Sequence, residues 1–295
     1  MRGFLYDKDM TEWELPLLYD WEVCHGTGET CDYFECSFPY EKGMLPKLAE
    51  AVYFKGVNNG DTVFYGITDE YTLLCDGDGS RVTLRGRSMA GILMDNEAEA
   101  AGYGSLSLDT VLKRHVMPYF YGPVERRSMP VLHRFDVSSG ESEWSVLSHF
   151  CRYSCGVQPR FSKDGVLLLN DKPGTVRSFD ESCPVFSVRR RDCRYGLISS
   201  VLVKNRFTGA SYTVHNEKFE KRGGCSRRVL NVPRSTRADA MRYTGEYQIR
   251  ESERGRSIIE LGLCTQFAGF PGDVAELSFP QLGIEGSFRV VKSRC

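Results

Sequence analysis

Between residues 51 and 86 the chain reads AVYFKG, VNNGD, TVFYGITDEYTLLC, DGDGS and RVTLRG in succession. Two turn-forming pairs, Asn-Gly and Asp-Gly, separate runs rich in β-branched and aromatic residues, a pattern that commits the chain to consecutive antiparallel strands. Upstream, LPLLYDWEVCHGTGETCDYFECSFPY alternates on both sides of Gly26-Thr27-Gly28 as a hairpin does, with Trp21 and Val23 on one arm and Tyr33 and Phe34 on the other. MLPKLAEA supplies a short helical or irregular piece between the two groups. About five such strands in one small segment make a barrel or a sandwich.

The strand pattern then breaks. In VTLRGRSMAGILMDNEAEA, Val82 and Leu84 lead into Gly86-Arg87-Ser88, and a short helical pattern of Met89, Ile92 and Leu93 stops at Asp95. No metal, phosphate or nucleophile chemistry needs that arrangement. From there the period is helical: Ser105 or Ser107 caps a helix carrying Leu108, Val111, Leu112 and His115, closed by Pro118. VLHRFDV predicts a strand. SGESEWSVLSHFCRYSCG predicts a strong helix, with Glu141 and Glu143 in its acidic first turn, Trp144, Leu147, Phe150 and Cys151 on its apolar face, and Gly156 as its stop. VQPRF, SKDG and VLLLN add a hairpin. The last third returns to strands in PVFSVRRR, GLISSVLVKNR and SYTVHN, then a mostly polar helix in TRADAMRYTGEYQIRESERGR interrupted at Gly245, then the closing strands SIIELGLC, DVAELSF and SFRVVKS.

Composition narrows the class of function. With 41% hydrophobic and 12% aromatic residues, 295 residues are enough for two or three cored domains. No apolar run approaches the ~18 residues of a membrane span, and the first residues lack an apolar signal core, so a soluble protein made in the cytoplasm, without membrane insertion, is expected. The eleven cysteines are odd in number and irregularly spaced, unlike a disulfide framework. Cys24, His25, Cys31 and Cys36 are the sharpest zinc reading, but they lack the tight CxxC knuckles of structural zinc, and no metal or other cofactor is expected. Cys24 and His25, adjacent on a strand, point to opposite faces and make a poor thiolate-imidazole pair, and Glu141 and Glu143 read as helix-terminal charges rather than a catalytic carboxylate pair. No Walker loop, HExxH or GxSxG occurs, and no enzyme is expected. Residues 1–100 hold 8 Lys and Arg against 19 Asp and Glu, a balance of −11, which leaves +10 for the remainder. Most of that excess lies between Phe186 and Arg242, where Arg189, Arg190, Arg191, Arg194, Arg227 and Arg228 form a candidate basic surface, facing either nucleic acid or an acidic neighbouring subunit.

The order strand, Gly-Arg-Ser, short helix, Asp (VTLRGRSMAGILMD), then a capped leucine helix, then GESEWSVLSHFCRYSCGVQPRFSKDGVLLL, resembles the baseplate hub proteins of contractile phage tails. The likeness is to the Mu-like hub and late-control-D proteins, whose fold recurs in the N-terminal part of VgrG and in tailocin hubs. Gly86, Arg87 and Ser88 stand for the family's Gly-Arg-Ser tract, and Gly91 through Asp95 for its GDLVD-like helix. Glu141, Trp144, Leu147 and Gly156 fall in its GETVWEALERLA helix and the hairpin after it. FPGDVAELSFPQLGIEGSFRVVKS resembles its closing strands, carried by Gly272, Gly283 and Gly286. Each motif alone is degenerate; together, in order, they cover nearly the whole chain.

The resemblance implies an α+β, mostly β fold with two small antiparallel tube-type β-barrel domains, 1–95 and 173–295, the second with one helix, bracketing an α/β insert at 96–172. Gly86 and Gly91 would permit close packing where the first barrel hands over to the insert, and Arg87 serves either a local salt bridge or an intersubunit contact. The implied function is structural: a homotrimer joining a six-fold tail tube to a three-fold spike and forming a passage for DNA or effector. Its implied partners are the tail tube, central spike, tape measure and baseplate wedge proteins, with DNA crossing the lumen without specific binding. Its implied place is the tail baseplate of a virion, or a tailocin particle, assembled in host cytoplasm. Some relatives carry fused spike or lysozyme domains; this sequence, ending at Cys295, has no room for either, so those parts, where they exist, are expected to be separate products. The rival reading is a nucleic-acid-binding module using residues 186–242, with Tyr195, Phe207, Tyr212 and Tyr243 stacking on bases, although no RRM, KH or zinc signature accompanies them.

Overall fold

The computed structural model describes residues 1–27, 31–77, 79–232 and 238–295, the first three of the last segment by backbone alone. Gly28 of the expected first hairpin turn, Asp78 of the DGDGS turn, and Thr236-Arg237 at the expected start of the polar helix lie outside the described residues.

In chain order, β1 (Arg2–Tyr6), β2 (Glu12–Glu14), β3 (Asp20–Gly26) and β4 (Tyr33–Pro39) precede α1 (Met44–Glu50), which is followed by β5 (Tyr53–Asn58), β6 (Asp61–Asp76) and β7 (Gly79–Ser88). α2 (Ala90–Met94), β8 (Ala101–Leu106), α3 (Leu108–Val111), β9 (Val124–Glu125), β10 (Leu132–Val137), α4 (Glu143–Cys155), β11 (Arg160–Phe161) and β12 (Leu167–Leu168) make the middle. Then come β13 (Val176–Asp180), β14 (Val185–Asp192), β15 (Ser200–Lys204), β16 (Ser211–His215), α5 (Glu217–Glu220), β17 (Arg227–Asn231), α6 (Ala238–Arg254), β18 (Ser257–Leu263), β19 (Val274–Phe279), β20 (Ile284–Arg289) and β21 (Lys292–Arg294). The chain is α+β and mostly β.

Two compact units result: Met1–Cys183 with Thr265–Cys295, and Pro184–Cys264. This division is cut differently from the three segments expected at 1–95, 96–172 and 173–295. The reason is strand pairing. β13 pairs in parallel with β19, and β21 pairs with β3, so the residues after Cys264 pack with the first unit.

In the first unit an eight-stranded antiparallel sheet runs β2-β1-β5-β6-β7-β4-β3-β21. Its inward side chains, among them Leu5, Val23, Phe34, Phe38, Phe54, Phe64, Val82 and Leu84, form one core roofed by Met44 and Leu48 of α1. Phe34 and Phe54 stack with ring centroids 3.8 Å apart. At ~1.5–3 kcal/mol for each large apolar side chain fully buried, this cluster dominates the stability of the sheet. A second core lies under α4, where Trp144, Leu147 and Phe150 meet Leu93 of α2, Val111 of α3 and Leu167 of β12. Ser107 and Ser142 cap α3 and α4 through their hydroxyls, which accept from the N–H groups of Thr110 and Ser145. The expected leucine helix is α3 continued by a π turn, Leu112–Val116.

The second unit is thinner. β14 and β18 form a two-stranded ribbon, and α6 packs on the sheet β16-β15-β17, whose β15-β17 pair is parallel. Ile198, Val201, Val203, Met241 and Ile249 are its buried cluster. The interruption expected at Gly245 does not occur: α6 runs through it, because a Cβ there would stand 2.5 Å from Val214 Cγ2 and glycine lets the helix lie close to the sheet.

Candidate functional site

The Gly-Arg-Ser tract sits where β7 ends and α2 begins. Gly86 faces Thr68 across β6 and Phe34 across β4, and a Cβ on it would lie 2.0 Å from the Ile67 carbonyl oxygen and 2.5 Å from the Phe34 ring. Only glycine fits between those strands without displacing backbone. Gly91, the second residue of α2, is crowded by Ile67 Cδ1 at 2.8 Å and the Arg87 guanidinium at 3.3 Å.

Arg87 closes a local ion-pair network. Its Nε and Nη2 donate to Asp69 at 2.7 and 2.8 Å, and its Nη1 and Nη2 to Asp95 at 3.0 and 2.7 Å. A bulge between Thr68 and Glu70 leaves Asp69 unpaired in the ladder. The two carboxylates raise the Arg87 pKa further, and Arg87 in turn holds Asp95 below the usual carboxylate range. Of the two roles considered for Arg87, this is the local salt bridge, clamping the end of α2 onto the sheet. Asp95 is also the C-cap, its N–H bonding Gly91 O.

Ser88, buried, leads to a group that the sequence pattern did not join. Its hydroxyl accepts from the Asp32 N–H at 3.3 Å, and its own N–H bonds Asp32 O at 2.9 Å. The Asp32 carboxylate lies 2.9 Å from His25 Nδ1 and accepts from Gly26 N at 2.9 Å, while His25 Nε2 lies 2.9 Å from Val63 O. Both ring nitrogens face acceptors, so both bonds form together only when the ring carries two N–H groups. The ring is thus held within the sheet by Asp32 and Val63. Cys31 Sγ donates to Met94 Sδ, with its thiol pushed up to about 11 by burial, and burial also raises Cys36. Among the described residues no three His, Cys, Asp or Glu groups converge as metal ligands. The void beside Asp32, Ser88, Trp144 and Arg160 is about 30 Å³, room for water and far below the ~300 Å³ of a small-molecule pocket.

In the middle segment Glu141 precedes the Ser142 cap and pairs with His149 at 2.6 Å. Glu143 is buried rather than solvated: His115 Nδ1 lies 2.6 Å from its carboxylate, and the Tyr103 hydroxyl lies 2.9 Å from His115 Nε2. Trp144 stacks on Phe161 at 5.9 Å, Leu147 is fully enclosed, and Gly156 ends α4 with its N–H on Arg152 O. At the closing strands Gly272 turns the chain into β19, and the Arg160 guanidinium packs against it, 2.4 Å from where a Cβ would be. Burial, then the neighbouring Arg289 charge, lowers the Arg160 pKa. Gly283 caps the turn Pro280–Leu282, and Gly286 pairs with Leu277 across β19 and β20.

The six arginines of the candidate basic surface fall in three places. Arg189, Arg190 and Arg191 follow one another on β14, where Arg189 meets Glu260 at 3.6 Å and Arg190 meets Asp192 at 2.9 Å. Arg194 donates to Arg222 O over the Phe219 ring, and Arg227 and Arg228 lie on β17. These last three line an open groove of about 410 Å³ together with Tyr195, which is 96% exposed. The signals that could have exposed the buried polar groups were His25 and Asp32 on facing sides of one hairpin, and His115 spaced onto the apolar side of its helix.

No protein-family model and no curated protein matches the sequence. Solved structures do match. A tail protein from Neisseria meningitidis MC58 superposes with a TM-score of 0.76 at 17% identity, over 99% of this chain and 91% of that one. The 43 kDa tail protein of prophage MuSo2 from Shewanella oneidensis superposes with a TM-score of 0.75 at 13% identity, over 100% and 94%. The E. coli c3393 protein, described as a component of the type VI secretion system similar to T4 tail proteins gp27 and gp5, gives 0.58 at 9% identity, over 94% of this chain and 68% of its own. The fold of this chain is thus the one seen in these tail proteins and, less closely, in c3393.

Proposed function

We propose that this protein is the central hub of a phage-type tail baseplate, a homotrimer that joins the six-fold tail tube to the three-fold spike and encloses the passage for DNA or effector. The observation that supports this reading best is the end-to-end likeness to a tail protein, covering 99% of this chain. In this reading 1–95 and 173–295 act as the two tube-type domains around the insert 96–172, so three copies present six quasi-equivalent units to the tube and three to the spike. The acidic balance of residues 1–100 and the basic balance of the remainder suit neighbours that meet face to face. Tape measure and wedge proteins are the further partners, and the role is structural rather than catalytic.

Light scattering at low and moderate salt, followed by negative-stain imaging, tests this. A particle near three times 33.4 kDa with a central hole is expected, weakening as salt screens the charges. The groove lined by Arg194, Arg227, Arg228 and exposed Tyr195 favours one second reading, binding of single-stranded nucleic acid. A monomer that binds such a strand tightly would replace the hub with that module.

A further inference from the structure

β6 is 16 residues long, but β5 covers only its first half, up to Ile67. Past Thr68, whose N–H reaches Val52 O, residues 69–76 have β7 on one side and, among the described residues, no backbone partner on the other. All eight are exposed. The side chains show that this edge continues the core. Phe38 of β4, Val82 of β7 and Leu73 of β6 stand opposite one another in a row across the sheet, as do Cys36, Leu84 and Tyr71. In the first row exposure goes from 0% to 0% to 41%, and in the second from 0% to 1% to 38%. Two apolar rows sealed on two strands and open on the third are missing a fourth strand, and an uncovered edge of this kind is a template for pairing.

The missing strand needs a free edge, comparable length, an apolar residue to meet Leu73, and positive charge to meet Glu70. β14 has all four. It spans eight residues, pairs among the described residues with β18 alone, and carries Val188 beside Arg189, Arg190 and Arg191. Arg191 has no ion pair among the described residues, whereas on the shorter edge strand β17 Arg228 is committed to Gln248. We propose that β14 of a second copy of this chain adds antiparallel to residues 70–74 of β6, so that one sheet continues across the subunit boundary. The alignment that sets Leu73 against Val188 also sets Glu70 against Arg191 and Tyr71 against Arg190, beyond the β14 bulge at Phe186. Because the two edges differ, the contact is head-to-tail, and each copy uses both; such contacts form a ring where the rotation from copy to copy closes. The proposal rests on the ring reading above and supplies its joint.

The full-length protein tests it with exposed charges. Arg191→Glu and Glu70→Arg are each expected to raise the concentration at which the oligomer dissociates, by about tenfold, and the two together to restore it. Singles that leave the mass unchanged at every concentration, or a double variant no better than either single, overturn the pairing. Leu73→Cys with Val188→Cys, in a chain whose exposed Cys75, Cys225 and Cys264 are serine, separates the pairing from the ring, since directly opposed strand residues lie within disulfide range. Oxidation is expected to give a ladder of linked chains on a non-reducing gel. A stable trimer without the ladder, or a crosslink confined to single chains, overturns the strand pairing and leaves the ring; a monomer without the ladder overturns both.

Discussion

Under the eight-stranded sheet, thirteen described apolar side chains are buried together, five of them phenylalanine or Leu84 with almost no exposure; in Pro184–Cys264 the described cluster is five. The second unit leaves Phe186, Tyr195, Phe207, Tyr212, Val229 and Tyr243 exposed. The sheet is held by its own interior. A unit of this size with so small a core sits near the limit of independent stability, and its exposed aromatics and arginines are where stability from outside would enter. One chain therefore combines a sheet over a large core with a unit built on a small one.

The contrast breaks if the two parts do not respond separately. Phe34→Ala removes the stacked centre of the sheet core and is expected to cost about 3–5 kcal/mol, read as a lower midpoint of the main transition in denaturant. Of similar size is His25→Ala, which strands the buried Asp32 carboxylate and is expected to cost about 3–5 kcal/mol; adding Asp32→Asn should recover part of that loss. Met241→Ala, in the small core, is expected to cost about 2–5 kcal/mol. Its loss should appear as faster hydrogen exchange in β15 and α6 with the eight-stranded sheet unaffected. Equal loosening in both parts would erase the distinction.

Smaller effects sharpen it. Arg87→Gln should cost about 1 kcal/mol, because Asp69 and Asp95 are exposed enough to regain water. The acid response is the smallest. Asp95 is held below its ordinary range by Arg87, so its contribution is present above the unfolded-state value of about 4 and is lost as pH falls through its folded value. Stability of the sheet should therefore dip below about pH 4 in the native chain, and that portion of the dip should vanish in Arg87→Gln.

The hairpins of the first sheet were legible because Asn-Gly turns and strict alternation act over a few residues. α3 and α4 were legible through their serine caps and helical spacing. What was hidden depends on partners far away in sequence. Asp69 reaches Arg87 through a bulge that no alternation announces. β13 is matched to β19 across 98 residues, and β21 offers only Lys292-Ser293-Arg294, too short to carry a period. Gly245 reads as a helix breaker until Val214 is seen beneath it. At the site, glycines and charges stood out in the sequence, whereas the bonds of His25, His115 and Glu143 required knowing which strands and helices face each other.

β21 lies beside β3, with Lys292, Ser293 and Arg294 opposite Gly26, His25 and Cys24, and the Val23 N–H bonds Cys295 O. During synthesis on the ribosome, β3 is made early and stays bare on that side until residues 292–294 emerge. The sheet can begin to fold, but its border is sealed only after the basic unit has been translated.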